Sequence, residues 1–182
     1  HALKLPLLGN HQLHNAAVDL TAATVMQQRG WHITDEQIRE GLADVRWPGR
    51  FDVRRKDPLF IIDGGHNPQC IQALVKNIQD YLANRPLTIL TGVLADKDYN
   101  CMYRNVEPYA KEFITVTPGN PRALNAHDLA QYLSQFGKPV TACDAVADGV
   151  RLAVEHAGKD GVVLCYGSLY MIGEIEAGLQ RL

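Results

Sequence analysis

From Trp47 onward, short apolar runs of strand character alternate with segments of helical periodicity, and no other feature constrains the fold as tightly. Strands separated by helices of about ten to fifteen residues build βαβ units, whose parallel strands must be covered on both faces. The runs are Leu59–Ile62, Leu87–Val93, Glu112–Thr117, Pro139–Ala142 and Gly161–Tyr166. Arg50–Arg55 precedes them and, joined to Leu59–Ile62 around Lys56-Asp57-Pro58, reads as one arm of an antiparallel hairpin. Helices are expected over Pro68–Ala83, with the stripe Ile71, Leu74, Val75, Ile78 and Leu82, and over Cys101–Ala110, with Met102, Val106 and Tyr109 inward. Asn125 is expected to cap the next helix, whose inner face is Leu129, Tyr132, Leu133 and Phe136, and Asp144 the one after it. Ser168–Leu182 completes the series with Ile172, Ile175, Leu179 and Leu182 in line. The expected class is α/β, a mostly parallel sheet of about six strands.

Residues 1–47 follow another rule. An Ala-rich segment from about Asn15 to Arg29 is apolar on most faces, and a helix of that kind wants cover on every side. Gly30 ends it, and Thr34-Asp35-Glu36-Gln37 forms a capping box that starts a second helix carrying Ile38, Leu42 and Val45. Two helices without a strand make a poor domain alone, so 1–47 is expected to be the end of a preceding domain and 48–182 a domain of its own. Residue 1 is His rather than Met, and the chain reads as a piece of something longer.

Composition excludes several classes of function. A net charge of −2 gives no electrostatic reason to expect nucleic acid or a membrane surface as partner. No apolar run approaches the length of a membrane span. Cys70, Cys101, Cys143 and Cys165 form no C-x-x-C pair, and reduced packing cysteines in a cytoplasmic protein are expected, without a zinc site.

Crossovers of one hand gather the strand-to-helix loops on one edge of the sheet, where open α/β sheets bind ligands. The first such loop is Asp63-Gly64-Gly65-His66-Asn67-Pro68, in which Asn67 suits the N-cap and Pro68 the first helical position. Asp63 could accept from the two hydroxyls of a ribose or simply organise the turn. His66 could donate to an anion at the helix N-terminus or touch nothing. Arg50, after Trp47-Pro48-Gly49, suits a bidentate phosphate contact, with a surface ion pair as the plainer reading. In Asp96-Lys97-Asp98, Lys97 is solvated charge or a point charge for a substrate carboxylate. Ser168 reads as an N-cap, and Asn15 as an adenine contact or a satisfied structural amide. Neither G-x-x-x-x-G-K-[ST] nor G-x-G-x-x-G occurs in the chain.

In order, Leu8-Gly9-Asn10-His11-Gln12-Leu13-His14-Asn15-Ala16, Pro48-Gly49-Arg50-Phe51, Asp63-Gly64-Gly65-His66-Asn67-Pro68, Asp96-Lys97-Asp98 and Gly167-Ser168 resemble the C-terminal part of the folylpolyglutamate synthases. These enzymes belong to the Mur ligase superfamily, and the resemblance covers essentially the whole chain. Gly65 stands where the common family form has Ala. The resemblance implies a Rossmann-like domain preceded by two helices from the end of a central ATPase domain. It also implies an ATP- and Mg²⁺-dependent ligase that adds L-glutamate to folate through an acyl phosphate, with dihydrofolate synthesis left open. By the same resemblance Asn15 would contact adenine, Arg50 the ATP phosphates and Asp63 the ribose. His66, Lys97 and Ser168 would line the glutamate side, His66 and Lys97 taking the catalytic roles. The metal ligands and the triphosphate loop would lie upstream, in an ATPase domain that is this chain's partner. The expected whole is a cytoplasmic monomer, and the chain by itself is expected to be inactive. The alternatives are another amino-acid ligase of the superfamily and a stand-alone Rossmann-like module that binds a nucleotide or amino acid.

Overall fold

A computed structural model describes residues 2–182. Packing divides the chain into two compact units, one ending at Pro48 and the other running Gly49–Leu182.

The first unit holds α1 (Asn10–Gln28) and α2 (Asp35–Asp44). α1 starts five residues earlier than its apolar pattern suggests, because Gly9 at φ 103° turns the chain and its carbonyl accepts from the Gln12 N–H at 2.9 Å. Gly30, at φ 88°, closes the helix as expected. The Thr34–Gln37 capping box forms with both of its reciprocal bonds. Gln27 Nε2 joins the two helices by donating to the Ile33 carbonyl at 2.8 Å. Leu13, Val18 and Val25 of α1 remain exposed.

The second unit is one six-stranded sheet in the order β1-β2-β6-β3-β4-β5. Its strands are β1 (Asp52–Lys56), β2 (Leu59–Ile62), β3 (Leu87–Thr91), β4 (Ala110–Thr115), β5 (Val140–Ala142) and β6 (Val162–Tyr166). β1 and β2 form the expected antiparallel hairpin, and every other pairing is parallel. The helices are α3 (Pro68–Tyr81), α4 (Tyr99–Val106), α5 (Ala126–Leu133), α6 (Val146–Ala157) and α7 (Ile172–Leu179). Alternation along the strands splits the core in two. Phe60, Ile62, Leu90, Ile114, Val163 and Cys165 pack with α6 and α7. The opposite face carries Phe113 and Tyr166, in ring contact with Tyr103 of α4.

Several element boundaries differ from the sequence pattern. α4 starts at Tyr99 because the Asp98 carboxylate caps it, accepting from the Cys101 N–H at 3.1 Å, and its inner face includes Tyr103, which is fully buried. The helix expected to run to Ala110 gives way to a 3₁₀ turn at Glu107–Tyr109, and Ala110 already begins β4. The final helix likewise opens with a 3₁₀ turn, Leu169–Met171, and Leu182 is exposed rather than packed. Asp144 does not cap α6: Ala145 occupies that position without a side-chain bond. The Asp144 carboxylate accepts instead from His127 Nε2 at 3.0 Å. Asn67 and Asn125 cap α3 and α5 as expected, each accepting a backbone N–H.

Candidate functional site

β6, the last strand in the chain, lies between β2 and β3. Its chain continues to α7 on one face, while β2 and β3 lead to α3 and α4, which pack together. Such a reversal opens a crevice beyond the carboxyl ends of the strands. Three neighbouring strand ends therefore carry His66 (after β2), Ser168 (after β6) and Lys97 (after β3).

The loop after β2 is built around Asp63, a buried residue. Its Oδ1 accepts from the Gly65 N–H at 2.7 Å and its Oδ2 from the Phe51 N–H at 3.0 Å. The Gly64 N–H donates to the Gly49 carbonyl at 2.6 Å. These bonds stitch the turn before β1 to the turn after β2, using charge-assisted contacts of about 1.5–3 kcal/mol each for the carboxylate. The approach at Gly64 is close: a Cβ there would lie 3.3 Å from the Gly49 carbonyl and would displace the end of the Leu169 side chain. Arg50 is held in that turn between Gly49 (φ 75°) and Phe51 (φ 49°), two residues before β1 starts, so it does not begin the strand as its sequence context suggests. A bulky residue at positive φ is costly and persists only when its surroundings impose it. Burial of the Phe51 ring and the N–H bond to Asp63 supply that restraint.

His66 is half-buried, and its Nδ1 lies 2.9 Å from the Gly64 carbonyl. A carbonyl only accepts, so Nδ1 carries the hydrogen and the neutral ring keeps its lone pair on Nε2. Lys97 is flanked by two acids, yet both are engaged elsewhere. Asp96 pairs with Arg122 at 2.8 Å and Asp98 caps α4. The Lys97 ammonium and the Arg50 guanidinium make no hydrogen bond or ion pair among the described residues. Ser168 is buried, with Oγ accepting from the Tyr170 N–H at 3.3 Å, as an N-cap should. Asn15 lies in the first unit; it is exposed on α1 and donates to the buried Gln12 at 3.0 Å.

The structure adds a buried group that the sequence reading passed over. Thr91, at the end of β3, donates its hydroxyl to the Tyr166 carbonyl at 2.8 Å, so the Tyr103 hydroxyl must donate to Thr91, also at 2.8 Å. Burial pushes the Tyr103 phenol well up, which keeps it a donor. The signal was available: hydroxyls in a strand covered on both faces need partners, and Thr88 and Thr91 are the two polar residues of Leu87–Thr91. The Cys165 thiol, pushed up by burial and then by the nearby Asp63 charge, is a packing group.

Fold and edge together define an α/β domain whose strand order reverses at β6, with two uncommitted cations, Arg50 and Lys97, on the loops at the carboxyl edge of the sheet. The chain belongs to the Mur ligase family: the family described as "Mur ligase, glutamate ligase domain" matches residues 49–169. It is similar to the folylpolyglutamate synthase of Lacticaseibacillus casei, 39% identical over 124 residues, which are 67% of this chain and 29% of that protein. Among solved structures it resembles Mycobacterium tuberculosis folylpolyglutamate synthase complexed with ADP and AMPPCP, at TM-score 0.79 and 30% identity over 98% of this chain and 41% of that one. It also resembles the bifunctional folylpolyglutamate synthase/dihydrofolate synthase of Yersinia pestis complexed with AMPPNP and Mn ion, at TM-score 0.79 and 27% identity, with the same coverage. The chain thus spans well under half the length of these relatives.

Proposed function

We propose that this chain is the C-terminal portion of an ADP-forming ligase that adds L-glutamate to a folate through an acyl-phosphate intermediate. The observation that carries the reading is the set of His66, Ser168 and Lys97 at three adjacent strand ends, beside an Arg50 turn clamped by Asp63. A nucleotide and two carboxylate substrates need cations aimed at developing negative charge, and Arg50 and Lys97 have no competing acid partner among the described residues.

In the proposed reaction a folate carboxylate oxygen attacks the γ-phosphorus of ATP, and ADP leaves. The glutamate nitrogen then attacks the acyl carbon and phosphate departs. Glutamate arrives as an ammonium and must lose a proton before it attacks. With Nδ1 held by the Gly64 carbonyl, His66 presents Nε2 to accept a hydrogen bond or that proton. Lys97 pairs with a glutamate carboxylate, and the Ser168 hydroxyl orients the same substrate. Arg50 holds the ATP phosphates, Asn15 reads adenine, and the Asp63 carboxylate accepts from the ribose. Among the described residues no three His, Cys, Asp or Glu side chains gather to hold a metal ion. The Mg²⁺ ligands are assigned to the ATPase part of the proposed ligase; the ion would supply charge neutralisation on the phosphates.

Residues 1–47 are read as the last helices of that ATPase part. The exposed Leu13, Val18 and Val25 support this, because they leave α1 without the cover its composition asks for. No helix of the described residues is long and apolar enough to cross a membrane. The proposed ligase is a cytoplasmic monomer, and closure of the two parts would exclude water from the acyl phosphate.

The test is ADP release by the full-length protein, with folate and glutamate each omitted in turn and other amino acids offered in glutamate's place. Release that requires both substrates is expected. Release indifferent to glutamate, or equally strong from the isolated 182 residues, would overturn the proposal.

A further inference from the structure

We infer that Thr91 is a positioning residue for the amino-acid side of the site, acting through the hydrogen-bond relay Tyr103 hydroxyl to Thr91 hydroxyl to Tyr166 carbonyl. The inference rests on the reading of Ser168 and Lys97 as glutamate-binding groups.

The Tyr166 carbonyl belongs to the peptide that leads into Gly167, and Gly167 is followed at once by Ser168. Gly167 sits at φ 118°, a conformation that needs glycine, and a Cβ there would collide with the Gly92 carbonyl and come within 3.0 Å of Thr91 Oγ1. Its N–H donates to the Gly65 carbonyl at 3.1 Å. The Ser168 turn is thus pinned on one side to the loop after β2 and on the other, through Thr91, to the end of β3. Thr91 also begins the path to Lys97: its own carbonyl accepts from the Val116 N–H at 2.9 Å, and Gly92, packed closely against Val116, Met171 and Pro118, follows it. One residue therefore touches both, its hydroxyl holding the Ser168 turn and its backbone carbonyl the start of the Lys97 loop.

The relay has a direction. Thr91 is fully buried and its single proton goes to the Tyr166 carbonyl, so the Tyr103 phenol has to be the upstream donor. Tyr103 is in turn wedged among Phe113, Tyr132 and Tyr166, with ring centroids 5.7–6.3 Å away. A donor locked in an aromatic cluster fixes the Thr91 rotamer, and that rotamer fixes the carbonyl. Removing the hydroxyl while keeping the shape would let the Ser168 turn drift, leaving the nucleotide side, built on Asp63 and Phe51, in place.

The experiment uses the full-length ligase with Thr91→Val, Thr91→Ser, Tyr103→Phe and Ser168→Ala, each checked for folding by thermal melting. Thr91→Val, which breaks both bonds, is expected to raise the glutamate KM about tenfold while the ATP KM stays within about twofold. Thr91→Ser restores the hydroxyl and should return the glutamate KM to within about threefold of wild type; Tyr103→Phe falls between. Should Thr91→Val not fold, Tyr103→Phe against Thr91→Ser carries the same comparison. A folded Thr91→Val with unchanged glutamate KM overturns the relay, as does a parallel rise of both KM values that tracks lost thermal stability. If Ser168→Ala raises the glutamate KM and Thr91→Val does not, the relay falls and the site reading stands. If neither moves it, the site reading falls and the relay with it.

Discussion

The two ends of one sheet treat their charges in opposite ways. At the amino end, Glu112 on β4 is buried and fully engaged. It accepts from Thr88 at 2.9 Å and from His156 Nδ1 at 2.7 Å, with the Lys111 ammonium 3.5 Å away. Lys111 also donates to the His156 carbonyl at 3.0 Å. At the carboxyl end, Arg50 and Lys97 have no partner among the described residues, and His66 uses one nitrogen and presents the other. Counting titratable groups would rank the amino-end cluster first. Its satisfied hydrogen bonds mark it as a structural tie between β3, β4 and α6, whereas uncommitted cations are what the proposed binding edge requires.

The sharpest break of this contrast is Asp63→Ala, because Asp63 belongs to both categories. It should lower the stability of the purified chain by about 3 kcal/mol in urea unfolding, from two lost charge-assisted bonds. In the proposed full-length ligase it should also weaken ATP binding about ten- to a hundred-fold. An unchanged ATP affinity together with lost stability would make Asp63 a clamp and nothing more. Next comes Lys97→Met, expected to reduce kcat/KM for glutamate about ten- to a hundred-fold with an unaltered melting temperature, since the ammonium holds nothing inside the domain. A large drop in melting temperature would move Lys97 into the structural class.

Glu112→Gln probes the other end, with an expected loss of about 1–2 kcal/mol and no change in steady-state kinetics. Its pH dependence is more telling. Burial raises the Glu112 pKa, but the bonds from His156 and Thr88 and the charges of His156 and Lys111 outweigh it and hold the carboxyl below its usual range. A depressed pKa contributes stability that is present above the unfolded-state value and is lost as pH falls through the folded one. The difference between wild type and Glu112→Gln should therefore be full near neutrality and shrink on acidification below the ordinary Glu value of 4.5. A difference that persists unchanged to low pH would remove this linkage. The smallest effect is expected at Tyr166, whose buried hydroxyl has no partner among the described residues. Tyr166→Phe should be neutral or stabilising by up to about 1 kcal/mol, whereas Tyr103→Phe should cost stability; equal losses from both would show that the Tyr166 phenol is used.

Much of the loop that carries the candidate site was legible in the sequence. Asp63-Gly64-Gly65-His66-Asn67-Pro68 announced a strand end, a tight turn and a capped helix, and all three are present where the residues put them. What the motif hid was that Asp63 reaches back twelve residues to Phe51, since a phenylalanine side chain does not by itself signal a positive φ. The expected Asp144 cap failed for a similar reason: His127, seventeen residues upstream, takes its carboxylate.

By itself the sequence determined the periodicities, hence the alternating strands and helices, the hairpin, most caps and the residue types on the loops. These depend on side chains one to four positions apart, so local pattern carries them. Only the tertiary structure decided that β6 slots between β2 and β3, bringing His66, Ser168 and Lys97 to neighbouring strand ends, and that Thr91 bonds to Tyr166 across 75 residues. Strand order is settled by how whole faces bury against one another, and that free energy belongs to the assembled sheet rather than to any segment of it.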